Sequence, residues 1–167
     1  NTNSTSTDNN VLYDATAPTV TIDQGAAQAD PTNVSPIIFD VVFSKPVTGF
    51  TNADVTLGGT AGATTVVVTG SGTTYTVSVS GMTVDGTVTA TIAAGVAVDT
   101  VGNPNTASAS TDNTVLYGLT SPSVTINQAV GQADPTNISP INFVVVFSKP
   151  VTGFTNADVS LSGTAGA

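Results

Sequence analysis

The chain has 167 residues, 40% of them hydrophobic and only 8% charged, which is enough apolar side chain to bury a core and not the profile of a disordered segment. All eleven acidic residues are Asp and the only cations are Lys45 and Lys149, so the net charge is −9 and a basic nucleic-acid footprint is excluded. Cysteine and histidine are absent, which removes disulfides, thiol chemistry and zinc sites, and no apolar run approaches the ~20 residues that cross a bilayer.

Residues 1–10 are polar and unlike an export signal. Beyond them, Thr and Val favour strands, while Glu and Arg, good helix formers, are missing. Apolar alternation between clusters of Gly, Pro, Asn and Asp predicts strands at about 19–23, 37–43, 54–57, 64–69, 74–80, 87–92 and 107–117. Tyr75, Val77 and Val79 fall on one face of their strand, and Val88, Ala90 and Ile92 on one face of theirs. Seven short strands in about 100 residues is the count of an immunoglobulin-like sandwich.

The stretch 20–63 returns at 124–167 with an offset of 104 residues, and 35 of the 44 aligned positions are identical. A unit of that length is too long for a solenoid repeat and suits a sandwich domain with its own core. The expected organisation is the C-terminal strand of a preceding repeat at 1–13, a complete repeat at 14–117 and the first half of the next at 118–167, completed either by further chain or by another chain. The copies also orient the second strand. Ile37, Phe39, Val41 and Phe43 recur unchanged, whereas Ile38 becomes Asn142 and Asp40 becomes Val144, so the 37/39/41/43 face points inward. Phe50 and Phe154, ending the motif SKPVTGF, are expected to plug the end of the sandwich.

The segments FSKPVTGFTNADV, YTVSVSGM, VDGTVTATIAAGVAVD and VGNPNTASASTDNTV together resemble the bacterial Ig-like tandem repeats of large extracellular surface proteins and adhesins. The resemblance covers the whole complete unit. It implies an all-β, Greek-key sandwich, export to the bacterial cell surface or medium, and a role as a spacer or adhesive rod whose partners are neighbouring repeats packed end to end. Some members of that class bind calcium at or between domains.

Catalysis has little to draw on. Without His, Cys, Glu or Arg there is no base for a nucleophile and no oxyanion clamp, and the Asp residues sit mostly in turn-like contexts, so the chain reads as a non-enzyme. Calcium is the one metal that suits the composition, because it takes carboxylate and carbonyl oxygens. In an immunoglobulin sandwich the segment before the first strand and two of the loops share one end, which would gather Asp14, Asp54 and Asp99, with Asn103 adding a carbonyl. Against this, Asp14 corresponds to Gly118 in the next copy, and turn formation is the plainer role for Asp. The opposite end would carry Asp30 and Asp85, facing Asp158 of the next unit. Outward Thr87, Thr89 and Thr91 express strand propensity before any ligand role. Asn3, Asn33 and Asn137 fit the glycosylation sequon in a chain where Asn, Ser and Thr are common. The leading functional reading is a structural repeat of a long extracellular rod, and the alternative is a glycan- or surface-binding adhesion module, which would need an aromatic platform that a chain without Trp can offer only through Tyr13 and Tyr117.

Overall fold

The structure, a computed structural model, describes residues 5–164. Two compact units divide between Leu119 and Thr120. Unit 1 contains β1 (Val20–Gln24), β2 (Ile37–Thr48), β3 (Val55–Gly58), β4 (Thr65–Ser80), β5 (Gly86–Ile92), β6 (Val98–Asp99) and β7 (Thr114–Tyr117). β1 and β4 pair antiparallel with β2, β6 pairs with its far end, and β3, β5 and β7 form a separate antiparallel sheet.

β4 is one continuous run of 16 residues, which would span about 50 Å if straight. It doubles back instead. The Thr64 N–H donates to the Ser80 carbonyl (3.1 Å), and Gly70 lies against Thr74 and Tyr75. Gly70 and Gly72 both have positive φ, and a Cβ on Gly70 would fall 2.5 Å from the Thr74 carbonyl oxygen, so the reversal depends on glycine there. The two arms match the separate strands expected at 64–69 and 74–80, and residues 74–79 of the second arm pair with β2. With the arms counted separately the first sheet runs β1, β2, second arm, first arm, and the second runs β3, β5, β7. This is the two-sheet order of an immunoglobulin constant-type sandwich.

The core lies between the sheets. Ile37, Phe39 and Val41 are fully buried, as are Val77 and Val79 opposite them in the same sheet and Val88, Ala90 and Val115 from the other. The inward faces are those that alternation gives. Phe43, Phe50 and Tyr75 close one end edge to face, with ring centroids 5.2–5.8 Å apart, and the Tyr75 hydroxyl donates to the Val47 carbonyl.

Several boundaries differ from expectation, among them the end of β2, expected at Phe43 and reached only at Thr48. The strand at 107–117 shortens to β7, because Ala109–Asp112 first bonds along β1 and only then does the chain join β5. Asp54 belongs to a 3-10 turn (Asn52–Asp54) and not to β3. β6 was not foreseen, being two residues long.

Unit 2 contains β8 (Val124–Gln128), β9 (Phe143–Phe147) and a 3-10 turn at Asn156–Asp158. β8 and β9 pair in the register of β1 and β2, Val124 opposite Phe147 as Val20 is opposite Phe43. Phe154 packs edge to face on Phe147 at 5.1 Å, yet it is 44% exposed where Phe50 is 8%, so the plug is complete only in unit 1.

The facing of β2 has a direct test. Phe39→Ala is expected to cost about 3–5 kcal/mol in chemical denaturation, and Asp40→Val, on the exposed face, to stay within about 0.5 kcal/mol. Equal losses would mean that the faces are reversed.

Candidate functional site

Polar chemistry in unit 1 concentrates where β2 meets β6. Val47 pairs with Asp99, which places the Asp99 carboxylate beside Lys45 on the adjoining stretch of β2. Asp99 is almost wholly buried, and its Oδ1 accepts the backbone N–H groups of Val101 and Asn103 at 3.0 and 2.9 Å. This is an Asp turn closing on itself. Asn103 in turn donates from Nδ2 to Asp99 Oδ2 and to the Asp14 carbonyl, tying the segment before β1 to the loop after β6. Lys45 Nζ then lies 2.7 Å from Asp14 Oδ2, 3.3 Å from Asp99 Oδ2 and 2.6 Å from the Thr16 carbonyl.

The electrostatics follow from these contacts. Burial opposes ionisation of Asp99, but hydrogen bonds from the side chain and backbone of Asn103, the backbone of Val101 and Lys45 outweigh it and bring the pKa down to about 2. The hydrogen bond from Lys45 holds the Asp14 carboxyl below its ordinary value, and Asp14, more than Asp99, raises the Lys45 ammonium.

Of the four residues expected to hold calcium, Asp14, Asp99 and Asn103 do meet. Asp54 does not join them. Its carboxylate accepts the backbone N–H and hydroxyl of Thr51 at 2.7 and 2.8 Å, the capping box of the turn 52–54. Among the described residues no three acidic side chains are grouped as metal ligands. As arranged, the oxygens surround an ammonium, and Asn103 turns its amide N–H inward instead of its carbonyl. A calcium ion, which takes 6–8 oxygens, would have to displace Lys45. Thr51-x-x-Asp54 is itself a legible capping signal, repeated at Thr155-x-x-Asp158, and weighs for the turn role of these Asp residues.

Asp30 and Asp85 serve the far end of β7, where their carboxylates accept the backbone N–H groups of Leu116 and Leu119 at 3.0 and 2.6 Å. Tyr117, expected near a junction, is instead a core residue at 5% exposure, while Tyr13 is 86% exposed. Asn33 and Asn137 are exposed, and Asn3 lies outside the described residues. Sequence reasoning missed Asn105. It is buried, its Oδ1 accepts the N–H groups of Val96 and Ala97, and its Nδ2 donates to the carbonyls of Ala93 and Thr106. No periodic pattern marks such a residue, since its partners lie on both sides of one irregular loop.

The cluster sets an acid limit. A carboxyl whose folded pKa is depressed contributes stability above its unfolded pKa, near 3.8 for Asp99, and that contribution drains away as pH falls towards about 2. Asp99→Asn should therefore melt lower than the native chain at pH 7, with the difference shrinking towards pH 2. A constant difference in thermal scans across that range would contradict the assignment. The Lys45 contacts give a second test: the melting temperature in chelator and in millimolar calcium is expected to coincide. A rise in calcium that vanishes in Asp99→Ala would show the metal displacing the lysine.

Comparison with known proteins returns one family. Searches of curated proteins and of solved structures gave no match. The family model for the bacterial Ig-like domain matches residues 14–116, the span from the ion-paired Asp14 to the penultimate residue of β7. With the sheet order described above, this match shows that the chain belongs to the bacterial Ig-like domain family.

Proposed function

We propose that this chain is a structural segment of a long extracellular rod, filament or adhesin stalk at the bacterial surface, which extends and attaches and catalyses nothing. In this reading 1–13 is the last strand of a preceding repeat, 14–117 a complete one and 118–167 the first half of the next. The observation that carries it is the repeat itself. The 104-residue offset reproduces the β1/β2 register in β8/β9 and the Thr51–Asp54 cap in Thr155–Asp158. A spacer needs one domain many times and no unique site.

The connection between successive repeats supports stiffness. From Tyr117 to Val124 it reads YGLTSPSV, and its counterpart from Tyr13 reads YDATAPTV, each short and each with a proline at the same place. Proline fixes its own φ and biases the residue before it towards extended backbone, whereas a flexible tether is longer and rich in Gly and Ser. The ends of unit 1 are tied down on the same principle: the Lys45 cluster fastens the segment before β1, and Asp30 and Asp85 fasten the exit of β7.

Three tandem copies of 14–117 are expected to scatter X-rays at small angle as a narrow rod with a maximum dimension close to three domain lengths. A broad distribution collapsing towards a compact particle would count against the rod.

A further inference from the structure

β1 has a neighbour on each edge. On one it pairs antiparallel with β2, and on the other it meets the segment 106–112, which runs in the same direction as β1 itself. The bonds fix that direction. The N–H groups of Thr106 and Ala109 donate to the carbonyls of Pro18 and Val20 at 2.9 and 3.0 Å, the Ser110 hydroxyl to that of Ile22 at 2.5 Å, and the Gln24 N–H to that of Asp112 at 2.5 Å, so the partners rise together along both stretches. Asp23 adds a side-chain bracket, its Oδ1 accepting the N–H groups of Thr111 and Asp112 at 2.9 and 3.0 Å. A second parallel contact joins Thr32 to Tyr117: the Thr32 N–H donates to the Leu116 carbonyl at 2.9 Å and the Gly118 N–H to the Thr32 carbonyl at 2.8 Å, while Asp30 accepts from the Leu116 N–H at 3.0 Å.

These bonds tie the opening stretch of unit 1 to its closing one. The chain enters β1 at its Pro18 end and leaves at Tyr117, beyond the other end, so tension on the two ends drags the parallel stretches past each other along their own axes. Bonds that lie across the pull share the load and have to fail together. A pull that parts the same two stretches from one end breaks the bonds in succession instead, each bearing the whole load in turn. Forced unfolding is governed by the rate of unfolding and not by equilibrium stability, so the direction of the pull matters even though the native contacts are the same. The lead-in is fastened as well: Lys45 holds the Asp14 carboxylate and the Thr16 carbonyl, and Asn103 the Asp14 carbonyl.

We propose that unit 1 is a tension-bearing element, in which the parallel pairing of 18–24 with 106–112 and of Thr32 with 116–118 is a shear clamp and Asp23 is the side chain that locks it. This rests on the rod reading above, since only a chain held at both ends carries tension. Asp23 is suited to the task because a single carboxylate oxygen spans two successive N–H groups of the opposite stretch. Asn127, at the corresponding place in the next repeat, keeps a side-chain oxygen that accepts from N–H.

Because the chain has no cysteine, pairs of introduced cysteines give defined handles for an optical trap. In the full chain, Tyr13→Cys with Leu119→Cys loads the parallel stretches in shear, whereas Tyr13→Cys with Ala107→Cys pulls on their adjacent starts and peels them apart. All three side chains are exposed, and an unchanged denaturant transition checks that each variant folds as the native chain does. Thr106→Cys, also exposed, replaces Ala107→Cys if that transition moves. The 13/119 pair is expected to rupture at about twice the force of the 13/107 pair or more. Asp23→Ala should lower the 13/119 force and leave the 13/107 force where it is, and Asp23→Asn should keep both near native. Equal forces for the two pairs, or an Asp23→Ala loss of the same size in both, would overturn the clamp. The rod reading fails separately: a compact three-copy particle in small-angle scattering together with direction-dependent rupture would defeat the rod and keep the clamp, whereas a narrow rod with equal forces would defeat only the clamp.

Discussion

Everything in unit 1 is organised around the burial of one row of side chains on β2, Ile37, Phe39, Val41 and Phe43, between the sheet that carries it and the sheet of β3, β5 and β7. The two units make this dependence visible. Phe143, identical in residue and in register to the fully buried Phe39, is 56% exposed in unit 2, where no second sheet is described. Removing apolar surface from water contributes roughly 25 cal/mol per Å², and that gain is available only where two sheets face each other. Strand pairing alone does not supply it.

Polar residues then serve the packing. Lys45, Asp14, Asp99 and Asn103 close one end of the sandwich beside the Phe43, Phe50 and Tyr75 rings, and Asn105 satisfies the backbone of the loop after β5. Nearly buried, Asp99 accepts four hydrogen bonds from three residues, Lys45, Val101 and Asn103, and leaves no side-chain oxygen stranded, so its carboxylate ties β2 to the loop after β6. The same economy appears at the other end, where Asp30 and Asp85 accept from the backbone that leaves β7. An acidic chain with almost no cations thus uses its Asp residues chiefly as acceptors for its own backbone.

Much of the fold was legible because it is local or periodic. Alternation placed the inward faces of β2, of the second arm of β4 and of β5, since a period of two fixes which side chains share a face. The copy difference at Asp40 and Val144 fixed the facing of β2 without any structure. The candidate site was legible only in part: chain topology brought Asp14, Asp99 and Asn103 together, but it could not say that Lys45 would stand among them, nor that Asp54 would turn back to cap Thr51. Which loop tip meets which depends on the lateral offset of two sheets, and no short-range pattern encodes that.

The repeated stretch divides the two kinds of information. By itself the sequence determined the β1/β2 register and the Thr51–Asp54 cap, because both reappear in unit 2 among neighbours close in the chain. Tertiary structure decided the rest. β3 exists as a strand because β5 pairs with it, and the matching residues 159–162 form none; β2 runs on to Thr48 because β6 and Gly72, in the reversal of β4, pair with it there, whereas β9 stops at Phe147. A strand needs a partner for its backbone groups and a covered face for its side chains, and both come from residues far away in the chain.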